Sequence, residues 1–227
     1  MSRLGWLGLT LWVCAALFSA GCGSSRKSSG TANLRVVQAS PDAPQVNILV
    51  DKASVATNLA YSASTSYISV KAGPRNVQAV PAGASSPIFS QTFSISSGAN
   101  QTLLLTGAAA SIQPIVLSDG GTKSTTGDGY VRVVNASSAM GAADVFIVPA
   151  GSSIAGTQPN ASSLAFDKDT GYQLTAIGNY EVVMTTPGTT NALLSTGSID
   201  LSQGTNQTVV ALDGTSGGFT YALLTDQ

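Results

Sequence analysis

Beyond residue 33 the apolar residues fall into short runs separated by small, turn-forming ones. The first half of the chain gives Leu34–Ala39, Val46–Asp51, Val55–Tyr61, Ser66–Lys71, Asn76–Val80, Ile88–Ile95, Thr102–Thr106 and Ile112–Leu117. Several alternate, as Tyr67-Ile68-Ser69-Val70-Lys71 does. A period of two sends one side chain to a core and the next to water, which is the signature of a half-buried strand. The separators S-P-D-A-P, K-A-G-P, P-A-G-A and S-S-G-A-N supply turns. No long window after residue 21 carries a helical period. Seven or eight short strands at about 8–12-residue spacing predict an all-β, antiparallel β-sandwich, with a closed barrel as the alternative.

The same pattern then repeats. Leu34-Arg35-Val36-Val37-Gln38-Ala39-Ser40 aligns with Val131-Arg132-Val133-Val134-Asn135-Ala136-Ser137, and Val46 to Val50 aligns with Ala143 to Ile147. Tyr67 to Gly73 aligns with Tyr172 to Gly178, Gly98 to Thr102 with Gly204 to Thr208, and Ile115 to Asp119 with Ala222 to Asp226. The offset grows from 97 to 107, so loops have lengthened in the second copy, one of them at Ser152 to Ser163. Five blocks in conserved order indicate a duplication. The join, residues 120–129, reads G-G-T-K-S-T-T-G-D-G, a linker by composition. Two domains are therefore expected, 34–119 and 130–227, each close to the ~100 residues usual for a sandwich.

Residues 1–21 break the pattern. Arg3 precedes an uncharged apolar run from Leu4 to Phe18, and Ser19-Ala20-Gly21-Cys22 follows. A mostly apolar run of fifteen residues falls short of the roughly 20 needed to span a bilayer and matches a signal-peptide core. A-G-C after such a core resembles the bacterial lipobox. That resemblance implies cleavage before Cys22 and acylation of its thiol, which anchors the mature chain in a membrane. Ser19 stands where leucine is commonest in the motif. Gly23, in place of Asp, implies the outer membrane, at its periplasmic or surface face. Residues 22–33, Gly/Ser-rich, read as a flexible tether. Cys14 leaves with the signal, so the mature chain has no second cysteine for a disulfide.

V-V-Q-A-S-P-D-A-P followed by V-N-I-L-V-D resembles a family of secreted bacterial and archaeal domains that open on V-x-H-A-S-P-D-A-P and often occur in tandem. The resemblance extends over both copies and implies an immunoglobulin-like sandwich in each, without implying an activity, the family being a domain of unknown function. Gln38 replaces the family's histidine. The second copy departs further, with Asn135 and S-A-M-G-A-A-D.

Candidate chemistry is sparse. A net charge of −1 argues against nucleic acid, which needs a concentrated basic surface. With no histidine, Ser-His-Asp and Cys-His catalysis are excluded, as are histidine or thiolate metal sites. Ten Asp and one Glu, Glu181, remain, without the diagnostic neighbourhood of a glycosidase pair. No cofactor, metal or catalytic residue is assigned. Asp42, flanked by Pro41 and Pro44, is expected to accept bonds from the amides that follow it. Ser40, Pro41, Asp42 and Pro44 form the candidate binding loop. Asp167-Lys168-Asp169-Thr170-Gly171 opens like a calcium loop but lacks the distal glutamate, so a turn is expected. Tyr67 and Tyr172 read as half-buried strand tyrosines or as a paired aromatic surface. Arg35 and Arg132 are expected to point outward or to pair with Asp51 or Asp144. The chain is thus expected to be a non-catalytic binding or structural module of the cell envelope with a protein or glycan partner. A carbohydrate-active enzyme using paired Asp carboxylates and a passive spacer are the alternatives.

Overall fold

The structure, a computed structural model, describes residues 30–120 and 127–227. Residues 1–29, which include the expected signal segment and Cys22, lie outside the described residues, as do 121–126 of the expected linker.

The chain is all-β. The first copy contains β1 (Thr31–Ala39), β2 (Val46–Val50), β3 (Ala53–Leu59), β4 (Ile68–Lys71), β5 (Gly73–Pro81), β6 (Phe89–Ile95), β7 (Asn100–Thr106) and β8 (Gln113–Ser118), with a single 3-10 turn at Ala109–Ser111. The second contains β9 (Asp128–Asn135), β10 (Ala143–Pro149), β11 (Ala161–Leu164), β12 (Gln173–Ala176), β13 (Gly178–Thr185), β14 (Ala192–Ser195), β15 (Ile199–Leu201), β16 (Asn206–Asp213) and β17 (Phe219–Asp226). Thr31–Asn33, read from sequence as the end of the tether, already pair with β4.

Each copy is a sandwich. Sheet β4-β1-β7-β8 packs on β3-β2-β5-β6, and sheet β12-β9-β16-β17 packs on β11-β10-β13-β14. Pairing is antiparallel except between β1 and β7 and between β9 and β16. In the first copy every strand reverses the last, so the first and seventh run the same way when they meet side by side. The ninth strand of the second copy comes from a break. β14 and β15 both pair with β13 and together stand where β6 stands in the first copy. The break falls at Thr196-Gly197, where Gly197 has φ +62°. There the Thr196 hydroxyl accepts from the Val182 amide and substitutes for a ladder bond.

Three apolar layers result. Leu34, Val36, Ile48, Val77, Leu103 and Leu105 fill the first sandwich. Val131, Val133, Val145, Val182, Met184 and Val209 fill the second. The third layer lies between the copies, where Val37, Leu104 and Leu117 meet Val134, Val210 and Leu224. The four sheets therefore stack in series, and β1, β7, β9 and β16 are covered on both faces. This is why L-R-V-V-Q-A is buried throughout rather than on alternate residues.

Candidate functional site

The residues with chemistry gather at three places: the seam between the copies, the loop after β1, and a cleft on the outer face of the second copy.

At the seam, the face of β1 that carries Val37 also carries Arg35, and β9 likewise carries Arg132 beside Val134. Both arginines point away from their own sandwich, as expected, yet each is buried against the other copy. Arg35 forms an ion pair with Asp226. Arg132 forms one with Asp119 at 2.6 Å. The crossed partners lie close as well, Arg35 to Asp119 at 3.6 Å and Arg132 to Asp226 at 3.4 Å. Arg35 donates from Nε to Thr102 at 2.8 Å and from a terminal nitrogen to the Thr225 carbonyl at 2.9 Å. Arg132 does the same to Thr208 at 2.9 Å and the Ser118 carbonyl at 3.0 Å. The Tyr67 hydroxyl donates to Asp119 at 2.9 Å and the Tyr172 hydroxyl to Asp226 at 2.7 Å. Thr102 and Thr208 donate to the same two carboxylates. Each guanidinium sits over a tyrosine ring, 4.6 Å from the centroid of Tyr67 and 4.5 Å from that of Tyr172, a cation–π geometry.

Four residues of one copy thus meet the same four of the other, in an isologous contact inside one chain. The charges cancel, and the arginine donors are directed at acceptors. That compensation is what allows two arginines and two aspartates, all at most 6% exposed, to lie in a core. Burial and the charge of Asp119 hold the Tyr67 phenol well above its ordinary pKa. Burial and the hydrogen bond to Asp226 do the same for Tyr172. Burial opposes the charge of Arg132, but the bond to Asp119 and the surrounding negative groups outweigh it and raise its pKa.

Several expectations are corrected here. Arg35 and Arg132 do not pair with Asp51 or Asp144. Asp51 takes Arg75 at 2.7 Å and the Asn76 amide at 3.0 Å, and Asp144 caps two amides described below. The two tyrosines form no binding surface, because each is occupied by an arginine and a carboxylate. The partners lie one copy away, where the strand period carries no information. The usable signal was the alignment itself, since Arg35/Arg132, Tyr67/Tyr172, Thr102/Thr208 and Asp119/Asp226 recur in register.

The Ser40–Pro44 loop is a turn closed by the Ala43 amide on the Ser40 carbonyl at 3.3 Å. Asp42 does not bond the amides that follow it. Its carboxylate accepts from the Ala109 amide at 2.8 Å, in the connection between β7 and β8, and from the Ser40 hydroxyl at 3.3 Å. The second copy makes the same tie with opposite polarity. There Asp213, at the end of β16, accepts from Ser137, from Ser138 at 3.2 Å and from the Ala139 amide at 3.2 Å. The carboxylate has moved from one loop to the other, so the second copy can lose S-P-D-A-P and keep the fold. Buried Gln38 and Asn135, which hold the same position in the two copies, pin the following turn by accepting from Ser40 at 2.8 Å and Ser137 at 3.3 Å. Asp42→Ala should therefore cost about 1 kcal/mol, and Asp213→Ala about twice that, because it strands a buried serine. Urea unfolding of the two variants checks this; equal or absent losses would contradict it.

Asp167–Gly171 is a turn. Asp169 accepts from the Gly171 amide at 2.7 Å, and Lys168 pairs with Asp167 at 2.9 Å. Among the described residues no three carboxylates converge as a metal site would require.

The third place is a cleft of about 500 Å³ on the second copy's outer sheet. One wall comes from the loop lengthened in this copy. Ile154 folds back onto Phe146, Val148 and Val183. The other wall is the β13–β14 hairpin through Gly188 and Asn191, and Asp144 and Phe146 line the base. One oxygen of Asp144 accepts from the Ser163 amide at 2.7 Å and the other from the Gly188 amide at 2.7 Å. Asn47 holds the matching position in the first copy and accepts from the Asn58 amide at 3.0 Å. Asn58 and Ser163 share a positive φ, +53° and +51°. Asp144 thus caps an irregular strand as Asn47 does, and makes a second contact to the cleft wall.

No curated protein matches the chain. Among solved structures it is similar to the family 26 carbohydrate-binding module of Eubacterium rectale Amy13K, solved in complex with maltoheptaose. That likeness has 13% identity over 84% of this chain and 95% of that one, with a TM-score of 0.27. It is also similar to a provisionally named cell adhesion protein from Bacteroides eggerthii DSM 20697, at 11% identity over 88% and 96% of the two chains, with a TM-score of 0.22. At such scores neither likeness carries an argument. The family model of a domain of unknown function, DUF4397, matches residues 32–146, just over half of the chain. The match takes in all but the first residue of the first sandwich, with β9 and the start of β10, and the chain belongs to this DUF4397 family.

Proposed function

We propose that this is an exported, non-catalytic binding module of the bacterial cell envelope, held to the outer membrane by a lipid on Cys22. The observation that carries the reading is where the charged side chains are. The arginines and aspartates that recur in both copies are spent in the seam, where each carboxylate is occupied by an arginine, a threonine and a tyrosine. Asp119 and Asp226, which the fold brings to the same seam, are both buried and occupied by arginine, threonine and tyrosine donors. This counts against a carbohydrate-active enzyme, which needs two carboxylates facing across a glycosidic bond. A passive spacer would have no use for a second-copy loop folded back to wall a cleft. What remains is a pair of sandwiches joined by a buried seam, with a lengthened loop walling a cleft on the outer sheet, the arrangement by which rigid scaffolds present binding surfaces.

The anchor is tested by metabolic labelling with radioactive palmitate in a Gram-negative host. Wild type should incorporate label and fractionate with outer membranes, and Cys22→Ser should do neither. An unlabelled wild-type chain would sink the anchor.

A further inference from the structure

We infer that the cleft on the second copy binds a neutral saccharide, an inference that rests on the binding-module reading and gives it a site and a ligand class. Neither lysine nor arginine lines the cleft, and Asp144 is the one charged residue. An anionic ligand would meet an uncompensated carboxylate in a partly desolvated place, which is unfavourable. The other polar groups are amides and hydroxyls, among them Thr157, Gln158 and Asn191. Such groups both donate and accept, which matches a ligand whose own groups are hydroxyls.

The apolar part of the lining matches as well. Ile154 and Pro159, both partly exposed, lie on the same walls and suit the C–H face of a sugar ring, an amphipathic object with hydroxyls at its edge, while Phe146 lies buried against Ile154. The volume falls within the range usual for small-molecule sites.

The ladder places a buried polar group on the same face of the sheet as Asp144. Thr185 is fully buried, and its hydroxyl has no hydrogen-bond partner. It stands directly across the β10–β13 ladder from Asp144, so the two side chains share the outer face of the sheet. Native folds rarely leave such a group unmet. Asp144 lines the cleft and each of its oxygens holds one amide, which leaves acceptor sites that a ligand hydroxyl can complete. The site belongs to the second copy alone, because the wall bearing Ile154 and Thr157 comes from its lengthened loop.

Saturation-transfer NMR on the full chain in nanodiscs tests this, with maltotriose, cellotriose, chitotriose and mannotriose as neutral probes and trigalacturonate as the anionic one. At least one neutral trisaccharide should bind and trigalacturonate should not. Thr157→Trp, which fills the cleft from an exposed position, and Asn191→Ala should each weaken that binding at least tenfold with an unchanged melting temperature. Silence from all four neutral probes would overturn the inference, as would binding that survives Thr157→Trp. Capture of a peptide through the cleft would overturn the saccharide and leave the binding-module reading standing. Loss of palmitate labelling would fault the anchor and leave the cleft untouched.

Discussion

Replacing Arg132 with alanine is expected to destabilise the fold by about 3–5 kcal/mol, the cost of leaving a buried charge without its partner. Asp119 would keep Thr102 and Tyr67 as donors but would lose the guanidinium that neutralises it at 2.6 Å. Because the seam is reciprocal, Arg35→Ala should cost a similar amount through Asp226. A typical domain has only about 5–15 kcal/mol in total, so either change removes a large part of the margin. The fourfold variant Arg35→Met, Arg132→Met, Asp119→Leu, Asp226→Leu makes the contrasting case. It removes all four charges from a layer already lined by Val37, Leu104, Val134 and Val210. Its stability should fall much closer to wild type than that of either single variant, since well-packed apolar groups often replace a buried ion pair without loss. Urea unfolding followed by far-ultraviolet circular dichroism reads both. Wild type should unfold in one transition, because separating the sandwiches exposes the third apolar layer and the ion pairs together. An Arg132→Ala midpoint equal to wild type would contradict this account of the seam.

The limits of the sequence reading have the same physical origin. Strands, turns and the duplication were legible because they are local. A period of two and a Gly- or Pro-marked turn say where a strand runs whatever lies around it. Which sheet faces the other copy is not local. On β1 both faces are covered, so the alternation that would mark Arg35 as unusual is absent, and its partner sits 191 residues away. Asp42 was legible as a residue that organises a turn, but the amide it accepts belongs to Ala109, 67 residues on. The cleft left a trace in V-F-I-V, the β10 run in which apolar residues fail to alternate. That run means burial on both faces, and the lengthened loop is what buries the second. Loop length was visible in the sequence. The return of Ile154 onto Phe146 depended on tertiary packing that no period encodes.

Raising the pH above about 10 should weaken the folded chain through the seam tyrosines. An ordinary phenol titrates at 10.0, and Tyr67 and Tyr172 are both held higher in the fold. Burial disfavours either phenolate, and ionisation would also place it against Asp119 or Asp226 while removing that carboxylate's O–H donor. Tyr61 is pushed up to about 12 by burial and by the charge of Asp213. Below the unfolded value all three carry their protons in both states, so the stabilisation is fully present there. As pH rises past 10 the unfolded chain releases protons that the native chain retains, and stability falls until the folded groups titrate as well. Each tyrosine contributes at most about 1.4 kcal/mol per pH unit, less here because the rings are only half-buried. The double variant Tyr67→Phe, Tyr172→Phe keeps a ring over each guanidinium and removes the two phenols. It should be less stable than wild type at neutral pH, where Asp119 and Asp226 each lose a donor, yet its stability should fall less steeply between about pH 10 and 12. Urea midpoints across that interval decide the matter, because an unaltered slope in the variant would place the alkaline sensitivity outside the seam.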